Sequence, residues 1–83
     1  MRTIKHDPRI AKRWTKLTRQ EWKVVELVAD GHNHESIANQ LDIKVSTVKR
    51  HLGNIFRKLE VSTTLEVACE FYKEFLKLVI ADE

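Results

Sequence analysis

Three observations make this chain an all-α domain. Its apolar residues recur at three- and four-residue intervals, and no stretch sustains the period-two alternation of a strand. Only two glycines and one proline interrupt its 83 residues. Two Thr-x-x-Glu pairs, Thr18 with Glu21 and Thr63 with Glu66, stand at the heads of apolar-periodic runs. In that spacing a threonine hydroxyl and a glutamate carboxylate satisfy the first helix amides reciprocally.

Residues 1–16 carry six Lys/Arg against Asp7 alone and read as a basic N-terminal arm; residues 17–83 read as the helical domain. The arm is either a contact zone for a polyanion or a solvated tail. The first helix opens at Thr18, carries Trp22, Val25 and Val28 with Val24 and Leu27 alongside, and stops at Gly31. Asn33 caps a short second helix bearing Ile37, Ala38 and Leu41. Asp42, Ile43 and Lys44 turn the chain into a third helix that runs to about Lys58. A fourth, over about 63–80, starts from Ser62 or Thr63.

With 42% hydrophobic and 33% charged residues the chain suits a folded domain with one modest core. A single cysteine, Cys69, excludes an internal disulfide and suits a reducing cytoplasm, which is the expected location. No apolar run reaches membrane-spanning length. Paired carboxylates, a nucleophile with its base, and a phosphate loop are all missing, so neither an enzyme nor a cofactor is expected.

The third helix is the most informative segment. Val48, Leu52, Ile55, Phe56 and Leu59 form one apolar stripe. Ser46, Lys49, Arg50, Gly53 and Arg57 fall on the opposite side. A helix with a core-facing stripe and a face of hydroxyl, ammonium and guanidinium groups around a small residue suits the major groove of double-stranded DNA.

Leu17-Thr-Arg-Gln-Glu21, Ala29-Asp-Gly31, Glu35-Ser-Ile-Ala38 and Thr47-Val-Lys-Arg-His-Leu-Gly-Asn-Ile-Phe-Arg-Lys-Leu59 together resemble the LuxR/GerE-type helix-turn-helix domain, over roughly residues 17–75. The resemblance implies a four-helix DNA-binding transcription regulator whose third helix reads the groove and whose fourth commonly forms a two-fold dimer. Carried onto this chain, the groove-facing positions are Lys49, Arg50 and Gly53, and the phosphate-touching ones Ser46 and Thr47. Arg57, a turn further on, suits a phosphate. The sequence departs from the pattern at four places. Gln20 replaces an Arg and Thr64 another. Lys44 stands where a Ser usually caps the third helix, so either Ser46 caps a shorter helix or Lys44 is placed for phosphate. Glu60 replaces the glycine of the usual Lys-Leu-Gly, so no glycine is available for a left-handed turn there.

Other residues carry rival readings. His32, His34 and Glu35 lie close together but lack a fourth ligand, so no metal site is expected. His51 either meets a phosphate or packs on the first two helices. Trp22 is expected in the core, and Cys69 as a small buried residue. Trp14 either folds back onto the bundle or supports an interface. Phe71, Tyr72, Phe75, Leu76, Val79 and Ile80 are more large apolar groups than a three-helix core can cover. A homodimer through the fourth helix is the first expectation for that surplus. Contact with RNA polymerase or another regulator is the second, and packing on Trp14 and the arm the third.

The expectation is therefore a stand-alone transcription regulator, since sixteen residues are too few to fold a receiver or sensor ahead of it. Its rivals are a sigma-factor-like promoter-reading domain, and a protein-interaction module of the same fold that does not bind DNA.

Overall fold

The computed structural model describes the backbone of residues 11–81 and the side chains of residues 11–74. Four helices follow in the predicted order: α1 (Arg19–Ala29), α2 (His34–Leu41), α3 (Val45–Leu59) and α4 (Thr64–Ala81). A short 3-10 helix, η1 (Lys12–Lys16), precedes them. There is no strand among the described residues. The fold class is the one the periodicity predicts.

Both capping boxes form. Thr18 Oγ1 accepts the Glu21 amide at 3.1 Å, and Glu21 Oε1 accepts the Thr18 amide at 2.9 Å. At α4 the Thr63 hydroxyl accepts the Glu66 amide at 3.1 Å, and Glu66 takes the amides of Thr63 and Ser62 in return. Asn33 caps α2 through its side-chain oxygen on the Ser36 amide, 2.8 Å.

The helix ends share one device. After α1, α2 and α3 a single residue turns left-handed: Gly31 at φ +92°, Asp42 at +56° and Glu60 at +61°. The next amide then reaches back five residues, from His32 to Leu27, Ile43 to Ala38, and Val61 to Phe56, each at 3.0 Å. Carbonyls that a helix end would leave open are satisfied in this way. At the end of α3 the turn is made without glycine, and Glu60 absorbs a conformational cost of about 1–2 kcal/mol.

α1 packs against α4 and α3, α2 against α3, and η1 against α3. The core lies between them: Val24, Val25 and Val28 from α1, Ile37 and Ala38 from α2, Val48, Leu52, Ile55 and Leu59 from α3, and Val67 from α4. Four of the five residues in the predicted α3 stripe are buried, and Phe56 is half-buried at its edge.

Trp14 is fully buried, whereas Trp22, expected in the core, is only half-buried. Their ring centroids are 5.4 Å apart, and Phe71 of α4 meets both edge-on at 6.2 and 6.3 Å. Arg13, beside Trp14, donates to Glu70 Oε1 at 2.8 Å. The last turn of the basic segment is thus clasped to the bundle by an aromatic cluster and an ion pair.

Cys69 corrects a sequence expectation: it is exposed. Val67, Phe71 and Glu74 set the inner face of α4, and a residue two positions past Val67 points the other way.

Candidate nucleic-acid interface

α3 presents the two faces that its sequence predicts. With Val48, Leu52, Ile55 and Leu59 turned inward, Lys44, Ser46, Lys49, Arg50, Gly53 and Arg57 are exposed and Thr47 is half-buried. Among the described residues no carboxylate pairs with Lys44, Lys49 or Arg50. Arg57 is steadied by its own helix, donating to Asn54 Oδ1 at 3.0 Å.

The start of α3 excludes one of the two readings at Lys44, a shorter helix capped by Ser46. Lys44 is the cap residue, in extended conformation, and makes no side-chain cap bond. Ser46 is the second residue of the helix and does not cap it. The Thr47 amide bends back to the Lys44 carbonyl at 3.0 Å. The amides of Val45 and Ser46 are left at the positive end of the helix dipole with no side-chain cap, beside the Lys44 side chain.

Gly53 sits in mid-helix with an ordinary helical backbone, and a Cβ placed there meets nothing within 4 Å. The fold therefore does not require glycine at this position. Glycine in a helix interior costs roughly 0.5–1 kcal/mol relative to alanine.

The residue sequence reasoning missed is Lys58, which holds α3 against α1. Its ammonium lies 2.7 Å from Glu21 Oε1, the oxygen that also accepts the Thr18 amide. Glu21 is only 3% exposed. Burial pushes its carboxyl up, but the Lys58 hydrogen bond, the Thr18 amide and the charges of Lys58 and His51 together outweigh this and hold it below the ordinary value. His51 is half-buried on the α1 side of α3, close enough for its charge to act on Glu21. No sequence signal marks the pair, because 37 residues separate its members.

His32 Nδ1 lies 2.7 Å from Ser36 Oγ, and His32 shares a shallow open depression with His34, Glu35 and Thr64. On α4 the three glutamates are used within the fold: Glu66 caps the helix, Glu70 pairs with Arg13, and Glu74 is 5% exposed. Of the expected partner surface, Phe71 is half-buried in the chain's own aromatic cluster. Tyr72 is exposed, and its hydroxyl donates to the Ala29 carbonyl at 2.8 Å. Phe75, Leu76 and Val79 lie outside the described side chains. Leu65, 72% exposed, is an apolar surface residue that the sequence did not single out.

Comparison with known proteins places this geometry. The family model described as bacterial regulatory proteins, luxR family, matches residues 15–71. The HTH-type transcriptional regulator MalT of Yersinia pestis (strain Pestoides F) is 40% identical over 50 residues, which cover 60% of this chain and 6% of that protein. MalT of Klebsiella pneumoniae is 34% identical over 67 residues, covering 81% of this chain and 7% of that protein. The chain thus spans less than a tenth of the length of these curated relatives. No solved structure matches it at a significant level.

Proposed function

The chain belongs to the luxR family of bacterial regulatory proteins, and from that premise we propose that it binds double-stranded DNA sequence-specifically, with α3 in the major groove, as a transcription regulator. The observation that carries the reading is the division of α3 into a buried apolar face and an exposed face whose Lys49 and Arg50 have no carboxylate partner among the described residues. Arg50 is placed to donate to guanine O6 and N7 together, and Lys49 to the same edge as a point charge. Lys44, Ser46 and Thr47 anchor a phosphate at the uncapped start of the helix, where open amides and dipole act together. Arg57 takes a phosphate further along the groove. The match to this family, rather than to a promoter-reading sigma domain, favours a regulator. Glu66, Glu70 and Glu74 are used within the fold, so the acidity of α4 does not by itself favour an interaction module that has lost DNA binding.

The reading includes a homodimer through α4. Leu65, Cys69 and Tyr72 form an exposed stripe at helical spacing, and the sequence continues that spacing at Leu76 and Val79. Two copies related by a two-fold axis would address half-sites about 34 Å apart.

Selection of bound sequences from a random duplex pool, at two salt concentrations, tests this function. An enriched palindrome is the expected result. Enrichment without symmetry would remove the dimer, and no enrichment would remove sequence-specific binding. On the selected site, Lys49→Ala and Arg50→Ala are each expected to lose about 1–3 kcal/mol of discrimination at particular base pairs. Unchanged preference in both variants would refute the docking of α3.

Gly53→Ala separates stability from binding. The variant should unfold about 0.5–1 kcal/mol later, because alanine is the better helix former and its methyl meets open space. It should nonetheless bind the selected site more weakly, since the methyl lies where the groove wall approaches. Thermal melts and a binding isotherm on the same preparation would show the two effects with opposite signs.

A further inference from the structure

We infer that η1 is a second DNA-contacting element, a rigid basic platform that takes phosphates flanking the site read by α3. This rests on the proposed groove docking and adds a partner surface to it. Lys12 and Lys16, one on each end of η1, are exposed, and among the described residues no carboxylate pairs with either. The element that carries them packs directly against α3, so its position relative to the groove-facing side chains is set by the fold. It is also held firmly. Trp14 between the two lysines is fully buried against Trp22 and Phe71, and Arg13 is committed to Glu70.

Exposed lysines on a mobile tail lose backbone and side-chain entropy when they settle on a phosphate; on a clasped 3-10 turn the backbone part has already been lost in folding. Two lysines on a placed backbone beside a basic helix, without a carboxylate partner among the described residues, complement a polyanion that extends past the helix. A duplex running beyond its half-site is such a polyanion. The division of charge within η1 supports this. Its one arginine points into an internal ion pair, while both lysines are left outside.

The test is Lys12→Gln with Lys16→Gln in the full chain, measured on the selected duplex across a salt series. Each phosphate contact contributes about 0.9 to the slope of log affinity against log salt, so the double variant should be shallower by about 1.8. Its base preference and melting temperature should equal those of the parent, because both side chains are exposed and without an ion-pair partner among the described residues. On a duplex trimmed to the selected motif, parent and variant should bind alike, since the flanking phosphates are then missing. An unchanged slope on the long duplex would overturn the platform, as would a variant that loses base preference. Failure of the parent chain to bind any duplex would instead refute the proposed function, so the two outcomes are distinct.

Discussion

Trp14→Ala should cost about 3–5 kcal/mol of stability, the range for truncating a buried aromatic. For a domain this small that is most or all of what holds it folded. Trp14 has no exposed surface, and its ring is the meeting point of Trp22 from α1 and Phe71 from α4. Its removal leaves a cavity where three elements converge and frees η1 from α3. Urea denaturation of parent and variant gives the comparison. Trp14→Phe should recover a large part of the loss, because it restores the apolar volume without the indole nitrogen, which is buried and has no hydrogen-bond partner. A midpoint shift in Trp14→Ala of the size seen for an exposed residue would show that η1 is dispensable to the fold.

Glu21→Gln should remove on the order of 1–2 kcal/mol at neutral pH, with a signature that a packing defect would not give. Glutamine keeps an oxygen for the Thr18 amide but loses the charge that faces Lys58. The carboxyl of Glu21 is held below its ordinary value of 4.5 in the folded chain. The unfolded chain therefore binds the proton more readily than the folded one. The stability the charge contributes is fully present above the unfolded value and is lost as pH falls through the lower, folded value. Urea midpoints measured stepwise into acid should show a gap between parent and variant that is constant near neutrality and closes at low pH. A gap that stays constant throughout would place the loss in packing. Lys58 lies in the last turn of α3, so the same pair ties that end of the helix to the start of α1.

The sequence made α3 and the helix starts legible because both are written in local code. An apolar residue every three or four positions marks a helix face, and a threonine three residues before a glutamate marks a helix start. Thr18, Asn33 and Thr63 all cap as their spacing predicts. What escaped was non-local or too short to be periodic. η1 is a single turn with no repeat to detect, so Trp14 stayed ambiguous between bundle and interface. Glu21 was legible as a cap but not as the partner of Lys58, since nothing along the chain relates the two. On α4 the apolar residues spread over more than one stripe, and only its packing against α1 sorts them. Phe71 goes inward to the tryptophans, and Leu65 and Cys69 stay out. The exposed set of Ser46, Lys49, Arg50, Gly53 and Arg57 was readable because Val48, Leu52, Ile55 and Leu59 are needed inside.

The two indoles, 5.4 Å apart and tilted by 33°, also give the domain a built-in optical gauge. Transitions on rings this close couple, so the pair has a near-ultraviolet dichroism that neither ring has alone. That signal reports whether η1 is seated, without a label and without touching the exposed face of α3. In the free domain it is read directly, and while a duplex is added tryptophan emission replaces it, since nucleic acid is itself dichroic in this range but contributes little emission. The chain thus carries its own reporter at the junction between its basic leading segment and the helix-turn-helix.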